Sequence, residues 1–253
     1  MKRVLSDRYF LGRKCVYCDN NKLYRLKDNR IKCKKCEKKY SLTQLRKEIL
    51  ILYYFYLELS ASKTADEIEI DYGVVHRKFM QFRKLIADYC NNEVKKLNGE
   101  LELDESYFGG KRKGNGGRGA NNKAIVFGIL ERKGKVYTKI VENVSAETLM
   151  NEIKNKTLKG SVFYTDGWKS YNDLKQYGKH NIIRHEDNEF VKAKNHINGI
   201  EGFWSYAKEK FRKYHGINKN NYPLYLKEME FRFNNRDRNL FKLLCNICIR
   251  RLV

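Results

Sequence analysis

Leu101–Gly110 reads LELDESYFGG. Leu101 and Leu103 alternate with Glu102 and Asp104, the period-2 pattern of a strand. Gly109 and Gly110 then leave β geometry and open a glycine-rich, basic loop. An acid where a strand gives way to a basic loop suits a metal ion acting on a phosphate backbone. One acid makes no site, so the reading turns on where its partners lie.

Downstream, the patterning predicts a strand over Lys123–Glu131, a turn at Arg132–Gly134 and a strand over Lys135–Glu142. Ser145 is placed to cap a helix running to about Asn155. Ser161–Thr165 reads as a short buried strand ending at Asp166-Gly167, followed by a helix over Trp168–Lys175 and a strand over Asn181–Arg184. His196–Lys213 is a long helix. Three strands, helix, strand, helix, strand, helix imply an α/β fold with a mixed sheet covered by helices. Tyr222–Asn234, with Pro223 at its first helical position, and Asp237–Leu252 add two terminal helices, expected to pack on that domain.

Asp166 ends its strand in YTDGW, the same sort of position as Asp104. In HINGIEGFWSYAKEKFRK, Ile197, Ile200, Trp204, Ala207 and Phe211 recur at helical steps and mark the buried face. Asn198, Glu201, Ser205 and Lys208 form the neighbouring stripe, which aims Glu201 at strand ends and leaves Lys208 two turns on to hold a phosphate. Taken singly, each acid reads equally well as a solvated or helix-capping residue. Three carboxylates converging on one point repel unless a divalent cation lies between them, and magnesium prefers such oxygen ligands.

Ahead of this region lies a basic front end. The whole chain has 253 residues and a net charge of +23, and residues 1–47 hold 16 Lys+Arg against 4 Asp+Glu. Such an excess implies a polyanionic partner, nucleic acid before an anionic membrane. Cys15-Val-Tyr-Cys18 and Cys33-Lys-Lys-Cys36, fourteen residues apart, match a four-cysteine zinc site with a hairpin over Lys22–Lys32 between them. A helix over Thr43–Glu58 follows, with Thr43 as its N-cap and Glu48 and Glu58 on polar positions. Ser60–Ala87 reads as helix, break at Asp71-Tyr-Gly73, helix; the second carries His76, Arg77, Lys78, Arg83 and Lys84, which suits a recognition helix on DNA. The expected organisation is a zinc ribbon over 1–42, a helix-turn-helix segment over 43–90, a linker near Asn91–Gly99, a catalytic domain over 100–215 and terminal helices over 216–253.

The loop Gly109–Asn122 contains a literal GxGxxG at Gly114–Gly119, but a strand follows it, which excludes a dinucleotide site. Its Lys111, Arg112, Lys113 and Arg118 suit contacts to a DNA backbone instead. Cys245-Asn-Ile-Cys248, a lone CxxC in an apolar helical context, is expected to be core packing and not a metal site. His185 and His196, beside the last polar loop, lack metal-ligand spacing and read as phosphate contacts or helix-entry residues. The longest apolar run, Ile49–Leu57, is far short of the ~20 residues of a membrane span. MKRVLSDRYF lacks the apolar region of a secretory signal, so an intracellular protein with reduced thiols is expected.

The order of elements resembles the RNase H-like fold of retroviral-integrase-type enzymes. LDESYFGG, YTDGWKSY and HINGIEGFW resemble the three signature blocks of insertion-sequence DDE transposases, in the group related to the eukaryotic Merlin elements. The resemblance covers about Glu100 to Asn235, and the ribbon and helix-turn-helix front end is similar to that group too. It implies Asp104, Asp166 and Glu201 as ligands of catalytic magnesium (or manganese), Lys208 as the basic residue after the glutamate, and structural zinc on the four cysteines. Adjacent strand residues face opposite ways, so Asp104 is preferred to Glu105 by resemblance alone; some relatives use an asparagine in the third position, and Asn198 stands one turn before Glu201. The implied activity is binding of terminal inverted repeats in double-stranded DNA, cleavage that frees a 3′-hydroxyl, and strand transfer by a homodimer or larger assembly. That would take place in the cytoplasm on a bacterial nucleoid or in a nucleus. A nuclease or domesticated recombinase on the same fold, or a zinc-dependent regulator without catalysis, are the other readings.

Overall fold

The computed structural model describes residues 11–92, 96–109, 123–183, 197–214 and 216–250. The chain divides into two units, 1–90 with 235–253, and 91–234.

The first unit begins with a meander of β1 (Leu23–Arg25), β2 (Arg30–Cys33) and β3 (Lys39–Ser41). Each CxxC turn is built the same way. Asp19 and Glu37, at φ 58° and 57°, follow the second cysteine in left-handed geometry and donate their N–H groups to the carbonyls of Cys15 and Cys33. Helix α1 (Leu42–Tyr56) then starts without a linker, capped by Ser41 Oγ rather than by Thr43. Its buried stripe of Leu45, Ile49, Leu52 and Phe55 meets Phe79 and Phe82 of α3 (Tyr72–Asn92), with the short α2 (Ala61–Ile68) between them in sequence. The break falls at Glu69–Asp71 and not at Gly73: Glu69 takes a left-handed C-cap, and Asp71 caps α3 through Val74 N. Leu240–Leu244 (α7) and the π-turn Cys245–Ile249 return to this unit, with Phe241 packed edge-on to Tyr53 and Cys245 and Cys248 buried.

The second unit holds β4 (Glu100–Phe108), β5 (Ala124–Glu131), β6 (Val136–Val141), α4 (Ala146–Lys156), β7 (Val162–Asp166), a 3₁₀ stretch over Lys169–Gln176, β8 (Lys179–Ile183), α5 (Asn198–Lys213) and α6 (Tyr222–Asn234). The strand order is β6-β5-β4-β7-β8, with β4 antiparallel to β5 and parallel to β7. Both faces are covered. Leu101 and Leu103 pack with Leu149, Met150 and Ile153 of α4, whereas Val126 and Tyr164 pack with Ile200, Phe203 and Trp204 of α5. The alternation in β4 thus separates two packed faces and not core from solvent, so Glu102 is 1% exposed.

The terminal helices part company. The α6 helix belongs to the sheet: Asn234 exchanges two hydrogen bonds with the Val136 backbone, and Glu230 accepts from Thr138 N and Oγ1, which satisfies the edge strand β6. The expectation that both terminal helices pack on the catalytic domain fails for α7, whose apolar residues are buried against α1 instead.

Candidate active site

Glu102 stands opposite Tyr164 in the parallel β4–β7 pair, so two more residues along each strand bring Asp104 and Asp166 to the same end of the sheet. Asp104 is paired across β5 with Gly128. A Cβ on Gly128 would lie 2.5 Å from Trp204 Cζ2, so glycine there leaves room for the indole. Trp204 Nε1 donates to Asp104 Oδ2 at 3.0 Å. Burial pushes the Asp104 carboxyl up to about 6, and the negative charges of Asp166 and Glu201 add to it. Glu201 is exposed on α5 one turn before Trp204.

Glu105 faces the other way. The buried Tyr171 hydroxyl donates to it in a short hydrogen bond, while burial and then the Asp104 and Asp166 charges push it up to about 7. Asp166 accepts from Trp168 N at 3.2 Å, so it also caps the turn that follows β7. Asp104, Glu105, Asp166 and Lys208 line one cavity of about 260 Å³, walled by Tyr107, Lys123 and Trp168. The three expected ligand acids do not close on one point. Among the described residues, the only set of three or more potential ligand atoms all within 4.8 Å of one another is the four thiols. Trp204 holds Asp104, the Trp168 amide holds Asp166, and like charges keep the carboxylates apart. An all-oxygen donor set in which the neighbouring charges help to raise Asp104 still fits a hard divalent cation.

Cys15, Cys18, Cys33 and Cys36 do meet, with Sγ···Sγ distances of 3.6 Å for Cys15–Cys36 and 3.5 Å for Cys18–Cys33. Burial raises the Cys33 thiol, but N–H donors from Cys36, Asn20 and Lys35 outweigh it and bring Cys33 to about 6. Four converging sulfurs with amide donors fit a thiophilic, tetrahedral metal such as zinc.

On α3, Arg77 is exposed and His76 stacks on Tyr72 at 5.6 Å. Two expected basic contacts turn inward. Lys78 Nζ pairs with Glu48 at 2.6 Å, and Glu48 is fully buried rather than on a polar position. Arg83 is 2% exposed with its guanidinium over Phe55. Lys111, Arg112, Lys113 and Arg118, like His185 and His196, lie outside the described residues.

Residues 96–234, nearly the whole sheet unit, match the ISXO2-like transposase domain family. The chain belongs to this family of insertion-sequence transposases. A transposase-like protein of Haemophilus influenzae is 43% identical over 107 residues, covering 42% of this chain and 85% of that one. A protein in transposable element ISH50 of Halobacterium salinarum is 25% identical over 231 residues, covering 79% and 76%. A pre-cleavage Mos1 transpososome aligns at 11% identity over 78% of this chain and 76% of that one, with a TM-score of 0.27, too low to bear on the fold.

Three polar residues of this candidate site escape the sequence patterning. Trp204 reads as core, and its indole N–H is visible only once Asp104 lies beside it. Tyr171 closes the YTDGWKSY block, so its place in a signature block was the available signal. Glu102 enters the patterning only as a member of the alternating strand. Its signal is period 2: it must share the face of Asp104, and the covering helix buries Glu102 and half-buries Asp104.

Proposed function

We propose that the chain binds the ends of a DNA element, cuts a phosphodiester to free a 3′-hydroxyl, and joins that end to target DNA. The observation that carries this reading is the cavity shared by Asp104, Asp166 and Lys208, with Asp104 raised first by burial and further by the charges of Asp166 and Glu201. The strand order, with three antiparallel strands leading into two parallel ones, supports an RNase H-like catalytic domain. Asp104, Asp166 and Glu201 would hold magnesium or manganese, which when bound activates a hydroxyl nucleophile and stabilises the leaving oxygen. Lys208 neutralises the phosphate in the cavity. Trp204 fixes the rotamer of Asp104, so the carboxylate meets its ligand pre-oriented. The attack is in line: the hydroxyl oxygen bonds to phosphorus as the bond to the departing 3′ oxygen breaks.

The four cysteines would hold structural zinc, and the front end would read the terminal repeat through Arg77, His76 and the exposed Lys84. Lys78 serves Glu48 first. Among the described residues no helix is long and apolar enough to cross a membrane. Two element ends are handled together, which makes a dimer or larger assembly the expected species on DNA. The test is strand transfer by purified protein with magnesium and labelled element ends, wild type beside Glu201→Gln. Joined product from wild type alone supports the reading. Cleavage without joining would replace it with a nuclease, and DNA binding with neither reaction would replace it with a regulator.

A further inference from the structure

Helix α5 carries Glu201 but has no cap of its own. Its N-cap is Ile197, which has no side-chain hydrogen bond to offer, so the first N–H groups need an acceptor from elsewhere. Glu102 supplies one. Its Oε2 accepts from Ile200 N at 2.9 Å, and its Oε1 accepts from Arg132 Nε at 3.0 Å. Arg132 is itself held, with its guanidinium 3.7 Å from the Tyr164 ring centroid and 3.6 Å from Glu100. A buried carboxylate against a helix amino end is favourable through both the hydrogen bond and the helix dipole. Gly199 makes the approach possible: a Cβ there would lie 2.6 Å from Leu130 Cδ2 and 2.8 Å from Glu102 Oε2.

One turn on, Trp204 of the same helix donates to Asp104, two residues from Glu102 on the same strand face. Helix α5 is thereby fastened to β4 at Ile200 and at Trp204, and Glu201 lies between the two fastenings. We propose that Glu102 is a positioning residue: by gripping the amino end of α5 it sets where the Glu201 carboxylate stands relative to Asp104. This rests on the reading of Asp104 and Glu201 as ligands of one metal. Glu102 is too buried to touch substrate or metal itself.

The test uses zinc-loaded, full-length Glu102→Gln and Gly199→Ala. The first weakens the grip through charge, the second pushes the helix end away by volume. Three quantities are measured: Mn²⁺ affinity by electron paramagnetic resonance, cleavage rate at saturating DNA, and hydrogen exchange at the Ile200 and Glu201 amides. Both variants should exchange faster at Ile200, and Mn²⁺ affinity and cleavage rate should each fall about 10–100-fold. Affinity for DNA ends, measured on the zinc-loaded protein with no added magnesium or manganese, should be unchanged. A variant with its sheet amides still protected but wild-type Mn²⁺ affinity and rate would overturn the proposal. Should Glu102→Gln fail to fold, Gly199→Ala decides on the same criteria. A wild type that binds no Mn²⁺ and cuts no DNA would instead sink the functional reading, while unchanged Ile200 exchange in the variants would sink the grip itself.

Discussion

The thiol cluster and the acid cluster are built on opposite plans. The four cysteines come from two turns of identical backbone geometry within 22 residues, and their sulfurs already meet. The acids come from two strands and a helix, are spread over almost 100 positions from Asp104 to Glu201, and stand apart. Polarisable thiols, of which Cys33 is the one brought low by amide donors, pack together at little cost, whereas carboxylates repel, and Asp104 and Asp166 are held by different neighbours. The first arrangement suits a structural site that would close around a metal. The second keeps its acids apart, which suits the proposed site that would admit a phosphate.

Breaking the thiol site should have the largest effect. With few buried residues of its own, the ribbon would depend on a bound metal for much of its folding energy, on the order of 10 kcal/mol for such sites. Cys33→Ser should therefore lose bound zinc and expose the ribbon to protease while the sheet unit stays intact. Zinc content per chain and limited proteolysis read both halves. A ribbon that stays resistant without zinc would erase the contrast between the two sites.

The acid site should respond to pH with a definite sign. Asp104 is raised to about 6 from an ordinary 3.8, so the folded state holds its proton more tightly than the unfolded state does. The stability it contributes is fully present below the ordinary carboxylate value and is lost as pH rises through about 6. Glu105, raised to about 7, extends that loss upward. In zinc-loaded protein without added magnesium, the melting temperature of wild type relative to Asp104→Asn should fall between about pH 4 and 7, and magnesium should restore it. A difference independent of pH would mean that the acids do not strain the fold.

The anchoring of Asp104 offers a finer probe. Gly128→Ala places a Cβ against the indole and should cost about 1–3 kcal/mol by overpacking. Trp204→Phe keeps most of the packing, loses one hydrogen bond, and should cost nearer ~1 kcal/mol. Denaturant unfolding of both variants ranks them. The reverse order would place the hydrogen bond, not the fit of the ring, at the centre of the anchor.

Much of this was legible before any coordinates. The paired CxxC turns announce a metal-binding ribbon because ligands that close together are determined by short-range geometry. The order of strands and helices follows from hydrophobic periods, and Asp104, Asp166 and Lys208 do share a cavity. Other residues differ from their expected setting for a common reason. Local pattern puts Glu48 on a polar position and Lys78 and Arg83 on a DNA-facing helix, because the partner that buries a charge is not visible among its neighbours. Lys78 and Glu48 meet across 30 positions, through packing that no local pattern encodes. The α7 helix shows the same gap: its apolar residues declare that it is buried, but not against which unit.

Local chemistry therefore settled the kinds of element, the thiol ligands and the candidate acids, since each depends on residues a few positions apart. Packing between distant elements decided which carboxylate became an anchor, which became a candidate ligand, and which lysine was paired with a buried acid. The reason is that burial turns a charge from an independent surface group into one that must be paired, and the pairing exists only once the chain has closed.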